Sequence, residues 1–260
     1  MNVLHRWVAV GLIAAAAALP AHAGRPCETR PAQAADVVRG MTLAANTAQR
    51  LDTSGAQVVV LARAGQDLSR YGLAWSHLGF AYRDGSAWRV VHKLNLCGTA
   101  SAALYRQGLG EFFLDQPHRY EAAFVELSPD AQARLKPLLA DNTRIAGLHE
   151  PRYSMVAYAW GTRYQQSNQW ALETLAGAMD SAASSRQRAQ AWLQQQGYAP
   201  STLRIDALTR LGGRLTRANI EFDDHPNAKR FADRIDTVTV DSVFAWLQRS
   251  GLGATPVVIR

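Results

Sequence analysis

Apolar and polar positions change period several times along the chain, and each change predicts an element. Residues 35–52 have helical composition, and the run GAQVVVLARAG after them is continuously apolar between two glycines, as in a strand covered on both faces. AWSHLGFAYRDGSAWRVVHKL then alternates in two halves about an Asp-Gly dipeptide, which predicts a β-hairpin. Residues 101–114 fit no single period, and YEAAFVEL (120–127) fits a further strand. Ser128-Pro129-Asp130 opens a helix that Pro137 should limit. The aromatic-rich 151–166 segment reads as strand or turn. From Ser167 a helix begins, with Leu172, Leu175 and Met179 on one stripe and Trp170 beside it. A Gln/Arg/Ala helix over 185–196 ends at Gly197. The remainder predicts a helix around 201–215, strands at ANIEF and TVTV, and a last helix from Asp241 that stops before Gly251. The pattern predicts an α+β chain: an antiparallel sheet with packed helices, a core over about 50–182, and a helical and strand portion over about 183–260. No repeat, linker or clear boundary divides it.

The first 23 residues have a different logic. A short segment carrying His5 and Arg6 precedes an apolar run from Trp7 to Leu19, and Ala-His-Ala closes it at Ala23. That order is the one a cleaved secretory signal has, and the run is too short to span a bilayer. The expected product is residues 24–260 as one exported domain, periplasmic in a cell with two membranes, without a transmembrane segment. Losing Arg6 leaves 27 of the 28 Lys and Arg against 21 Asp and Glu, a balance of +6 with no block of like charge. This favours solubility and mild attraction to anionic envelope polymers or lipid headgroups, and no motif supports nucleic-acid binding. Cys27 and Cys97 remain, and in an oxidising compartment they are most simply a disulfide, contributing about 4 kcal/mol through loop closure. The rival reading makes Cys97 a nucleophilic thiol.

Candidate chemistry begins in the hairpin. If Asp84-Gly85 are the central turn residues, paired positions sum to 169, and His77 faces His92 directly. The period of two puts both imidazoles on one face, with Gly79 leaving room for something to approach. Each buried ring nitrogen needs a partner, so the pair is either structural or functional. Two histidines lack the further ligands a zinc site wants, so neither a metal nor a cofactor is expected. Ser167 is the third element. Serine is a preferred helix N-cap, and a helix N-terminus also favours developing negative charge and offers N–H groups to an oxyanion.

These residues carry a resemblance. His77-x-Gly79-Phe80, a hairpin, His92, and then Gln166-Ser167-Asn168-Gln169-Trp170 at a helix start look like the circularly permuted papain-like superfamily, which includes the permuted NlpC/P60 and lecithin-retinol-acyltransferase-like proteins. The resemblance implies a circularly permuted papain-like core, with His77 as general base, His92 as its orienting partner and Ser167 at the nucleophile position. That superfamily uses cysteine there, and a hydroxyl depends far more on concerted base catalysis than a thiol does. Asn168 and Gln166 could donate to an oxyanion, although as exposed turn residues they need no such role. Nearly all the chain beyond the leader also resembles the uncharacterised proteobacterial family catalogued as domain of unknown function 2145, which names no activity.

Three functions stay open: a Ser-His-His hydrolase or acyltransferase acting on an envelope amide or ester, a non-catalytic protein binding an envelope peptide, lipid or protein partner in the same cleft, and a structural envelope protein. Asp223-Asp224-His225-Pro226 is an acidic turn of a common kind, His118 and His149 read as surface residues, and Tyr153, Tyr158 and Trp160 read as core. Intact mass and N-terminal sequencing of the exported product should give a chain beginning at Gly24; a product retaining residues 1–23 would refute the cleavage.

Overall fold

The structure, a computed structural model, describes residues 33–115 and 117–260. The predicted signal segment and Cys27 lie outside the described residues. In chain order the elements are α1 (Ala34–Ser54), β1 (Val58–Arg63), β2 (His77–Asp84), β3 (Ala87–Asn95), β4 (Ala102–Gly108), α2 (Leu109–Phe113), β5 (Ala122–Glu126), α3 (Pro129–Leu139), α4 (Asn142–Ala146), α5 (Ser167–Met179), α6 (Arg186–Gln195), β6 (Ser201–Arg204), α7 (Ala207–Thr216), α8 (Asn227–Phe231), β7 (Arg234–Thr237), α9 (Val240–Arg249) and β8 (Val257–Ile259).

The six-stranded sheet has the order β4-β3-β2-β1-β5-β8, and every neighbouring pair is antiparallel. The mixed α+β class read from the sequence is what the structure has. Both faces of the sheet are covered, which explains why β1 is apolar at alternating and intervening positions alike. Val59, Leu61, Ala81, Trp88 and Val90 pack under α1 and α2. Val58, Val60, Leu78, Phe80 and Val91 pack under α3, α5, α6 and α9, whose Val243, Trp246 and Leu247 join the same cluster. A separate ribbon of β6 and β7 carries a small cluster of its own, Leu203, Ile205, Phe222 and Ile235. Among the described residues no helix is long and apolar enough to cross a membrane.

Local signals fix most boundaries. Ser128 caps α3 by accepting from Ala131 N, and Ser185 caps α6, which ends before Gly197 at φ 71°. Thr239 and Ser242 form a capping box that starts α9 at Val240. Pro137 lies inside α3, which continues two residues beyond it. The ambiguous stretch after residue 101 splits into β4 and α2. Three expectations fail in the last third of the chain. The strand predicted at TVTV lies three residues earlier, as β7, which keeps only Thr237 of it before Thr239 caps α9. Residues 201–204 form β6 rather than helix. ANIEF is a loop, whose Asn219 and Glu221 carbonyls accept from Met155 N and Ser154 Oγ of another loop. Apolar residues facing a loop–loop contact mimic the period of a short strand.

The hairpin differs from its predicted register. Asp84 pairs with Ala87 and Phe80 with Val91, so paired positions sum to 171, not 169. Gly85, at φ 58°, takes the first position of a two-residue loop with Ser86, the place where a type II′ turn wants glycine. Asp84 therefore closes the ladder instead of occupying the turn. Carrying the register on sets His92 opposite Gly79 and puts His77 one pair away on the same face. A Cβ on Gly79 would come within 2.8 Å of both the His92 Cβ and the Val91 carbonyl oxygen. Gly79→Ala is expected to destabilise the protein by about 1–3 kcal/mol through this overpacking, measured as a fall in the urea midpoint at unchanged slope; an unaltered midpoint would show that the two strands can part.

Candidate active site

The histidines meet through their rings. His77 Nε2 lies 2.8 Å from His92 Nδ1, and His92 Nε2 lies 2.7 Å from Gln107 Oε1 on β4. Gln107 in turn donates from Nε2 to Glu111 Oε1 at 3.0 Å, at the start of α2. A carboxylate only accepts, so it fixes the amide with its oxygen toward His92. That oxygen requires an N–H at His92 Nε2, which leaves Nδ1 as an acceptor for the N–H of His77 Nε2. Nδ1 of His77 is then the nitrogen that carries a lone pair, as a general base needs. The chain of donors runs one way, from His77 out to Glu111.

Burial sets the charge of the pair. His77 is nearly buried and held well below the ordinary imidazole range, first by desolvation, then by the Arg63 guanidinium and by His92. His92 is pushed down to about 3, again mainly by burial and then by Arg63, with the bond to Gln107 acting the other way. Phe112 closes the site, its ring centroid 6.0 Å from that of His77 and 5.2 Å from that of His92. Arg63 lies over the same ring, donates to the Phe112 carbonyl, and pairs with Asp115 at 2.7 Å.

Ser167 opens α5. It is not the cap: Gln166 is, its Oε1 accepting from Asn168 N at 3.2 Å. Ser167 is 5 % exposed and lies beside the buried Tyr153 phenol, whose ionisation burial suppresses. Gln166 and Asn168 are also buried, unlike the exposed turn residues the sequence predicts. Their amides hold the helix start in place. Gln166 Nε2 donates to Thr237 Oγ1 and to the Val238 carbonyl, and Asn168 Oδ1 accepts from Leu78 N at 3.0 Å. That last bond joins the residue after Ser167 to the residue after His77. With Asn168 N taken by Gln166, the N–H groups of Ser167 and Gln169 remain in the first turn of α5 as donors of the kind an oxyanion uses.

Both Ser167 and His77 line one cleft of about 800 Å³. Trp75, Tyr71, Met155 and Phe222 supply apolar wall, and Arg63, Arg70 and Arg217 give it positive charge. The two candidate residues approach it differently. The histidine rings sit against Phe112 on the side of the sheet covered by α1 and α2, whereas Trp170 packs α5 onto Phe80 on the opposite side. The cleft reaches both round the end of the sheet where β2 begins. Cys97 also lines it; its predicted partner Cys27 lies outside the described residues.

A family of bacterial proteins described as "uncharacterized protein conserved in bacteria" (DUF2145) has a model that matches residues 50–247. The chain belongs to this family. The DUF2145 match takes in β1 through most of α9, and with them His77, His92, Gln107 and Ser167. No curated protein and no solved structure matches the chain.

The DUF2145 chain also buries a polar cluster with no counterpart among the residues singled out in the sequence. Lys93, wholly buried, donates to the Glu150 carbonyl at 2.6 Å and to Gln165 Oε1 at 2.8 Å, and burial, then Arg186, push its ammonium down to about 7. Glu173 of α5 accepts from Gln165, Gln190 and both ends of the Arg186 guanidinium. The cluster ties β3, α5 and α6 together one turn and a half below Ser167. His149 is half-buried rather than superficial, and His225 is buried, its Nδ1 bonded to Asp224 at 2.9 Å. Among the described residues no group of three or more His, Cys, Asp or Glu is placed to hold a metal ion.

Linkage gives the site a pH signature. Below the ordinary imidazole value of 6.5 the unfolded chain takes up a proton on His92 that the folded chain refuses until about 3. Stability should therefore fall as pH drops through that window and be unaffected above it, by about 1.4 kcal/mol per pH unit for each such histidine. Urea unfolding of His92→Gln beside the wild type at pH 7 and pH 4.5 should show a smaller acid loss in the variant. Equal losses would mean that His92 is protonated in the folded protein.

Proposed function

We propose that this protein is an exported papain-like hydrolase or acyltransferase that acts on an amide or ester of the cell envelope, with Ser167 as nucleophile, His77 as base and His92 as the partner that holds its tautomer. The observation that carries this reading is the ordered chain Glu111–Gln107–His92–His77, which leaves His77 Nδ1 as an acceptor at a cleft that Ser167 also lines. In the reaction Ser167 Oγ attacks the carbonyl carbon as its proton passes to His77 Nδ1. The carbonyl oxygen takes the negative charge, met by N–H groups at the start of α5. Collapse expels the alcohol or amine, which takes the proton back from His77 and leaves an acyl-serine. Water, or a second hydroxyl or amine, then repeats the cycle in reverse. His92 accepts from His77 Nε2–H throughout, so the imidazolium formed in each half is oriented and partly stabilised. The apolar and cationic cleft suits a substrate with an apolar body and an anionic end. Secretion through a cleaved signal and a Cys27–Cys97 disulfide at the cleft's edge belong to the same proposal.

A second reading, a non-catalytic DUF2145 protein that binds such a ligand in the cleft, is favoured by two observations. A hydroxyl needs a stronger base than a thiol does, yet burial makes His77 a weak one. The histidines and α5 also pack on opposite sides of the sheet. One reagent separates the two. Under the catalytic reading a fluorophosphonate probe labels the purified protein at Ser167, and Ser167→Ala and His77→Ala each abolish the label while keeping the wild-type circular dichroism spectrum. Well-folded wild-type protein that takes no label at any pH from 5 to 9 would leave the binding reading.

A further inference from the structure

Helix α7 is built the wrong way round for a helix of a monomeric soluble protein. Leu208, Leu211 and Leu215 recur at i, i+3 and i+7 and so share one face, yet they are 81 %, 53 % and 64 % exposed. The opposite face is small or polar and turns inward: Gly213 rests on Ile220, Arg210 is buried against Asp233, and Thr209, Gly213 and Thr216 line the cleft. The helix is turned with its leucines outward: its one buried side chain is Arg210, and Thr209 and Gly213 on the same side are half-buried. Phe231 of α8, 73 % exposed, lies in the same lobe, joined to α7 by the Arg210–Asp233 pair.

Charge indicates what covers the leucines. From Ser201 to Arg217 there are four arginines, Arg204, Arg210, Arg214 and Arg217, against the single acid Asp206, and Asp206 is engaged in capping the helix. Arg214 is exposed but pairs with Glu221 at 3.1 Å, whereas Arg204 and Arg217 are exposed with no acidic partner among the described residues. A second copy of the chain meeting this face about a two-fold axis would set the arginines against themselves. A bilayer with anionic headgroups would accept the leucines into its interface and neutralise the arginines at once, the arrangement of an interfacial amphipathic helix.

We infer that α7 is a membrane-surface anchor that seats the protein on anionic lipid, with Leu208, Leu211 and Leu215 dipping into the interface. Since α7 also forms one lip of the cleft, the anchor would open that cleft beside the lipid surface. The inference goes beyond the hydrolase reading and holds whether or not Ser167 is reactive, because its readout is binding alone.

The test is sedimentation of the purified protein with vesicles of phosphatidylglycerol and phosphatidylcholine in equal parts, and with vesicles of phosphatidylcholine only. Binding to the anionic vesicles should exceed binding to the neutral ones at least about tenfold and weaken in high salt. Leu208→Ser/Leu211→Ser/Leu215→Ser should lose it by a similar factor with unchanged thermal melting, since these side chains are already in water. Arg204→Gln/Arg217→Gln should weaken it while preserving the leucines. Failure of the wild type to bind either vesicle would overturn the inference, as would a triple variant that binds like the wild type. So would light scattering that shows a wild-type dimer dissolved by the triple variant.

Discussion

A single backbone-to-side-chain hydrogen bond, Leu78 N–H to Asn168 Oδ1, sets the geometry on which the candidate site depends. It joins two segments ninety residues apart at the residues that follow His77 and Ser167. The other contacts at the start of α5 reinforce it. Gln166 reaches the Thr237–Val238 segment, and Trp170 packs on Phe80. An amide buried this deeply is costly unless its hydrogen-bonding capacity is filled, and here both carboxamides are in use. The start of α5 is thus held on three sides by bonds that tolerate little displacement.

The imidazole pair is maintained by a different economy. Desolvation keeps both rings neutral, and neutrality lets one ring donate to the other, since two protonated rings would offer only donors. The close approach requires the missing side chain of Gly79 and the lid of Phe112. Glu111 then polarises the far end, where its carboxylate lies in water. A buried, uncharged relay that finishes at an exposed anion has a defined direction without a buried charge.

Much of the sheet and most helix boundaries were legible in the sequence, because local rules dictate them. A glycine-bounded apolar run made β1, a serine or threonine cap started α3, α6 and α9, and alternation made the hairpin. The shared face of His77 and His92 was legible too, since a shift of two in the pair sum preserves parity. Their exact opposition was not, because Asp-Gly supports two loop placements and only the conformation of Gly85 chooses between them. Gln107 escaped notice since β4 has no clean period, and Lys93 since a charged residue in a strand run normally points to water. Its burial depends on Gln165 and Glu150, seventy-two and fifty-seven residues away, which no local pattern encodes.

The strand β8 has a practical implication for anyone who trims this protein. It covers the free edge of β5 through Ala122, Ala123 and Phe124, and it lies outside residues 50–247, as do all but the last five residues of α1. Expression of the matched span alone would uncover a row of unsatisfied β5 amides and carbonyls and strip Leu43 from the apolar cluster beneath α1. Such a fragment carries an invitation to edge-to-edge aggregation, so the boundaries of the homologous region are not those of an independently soluble unit.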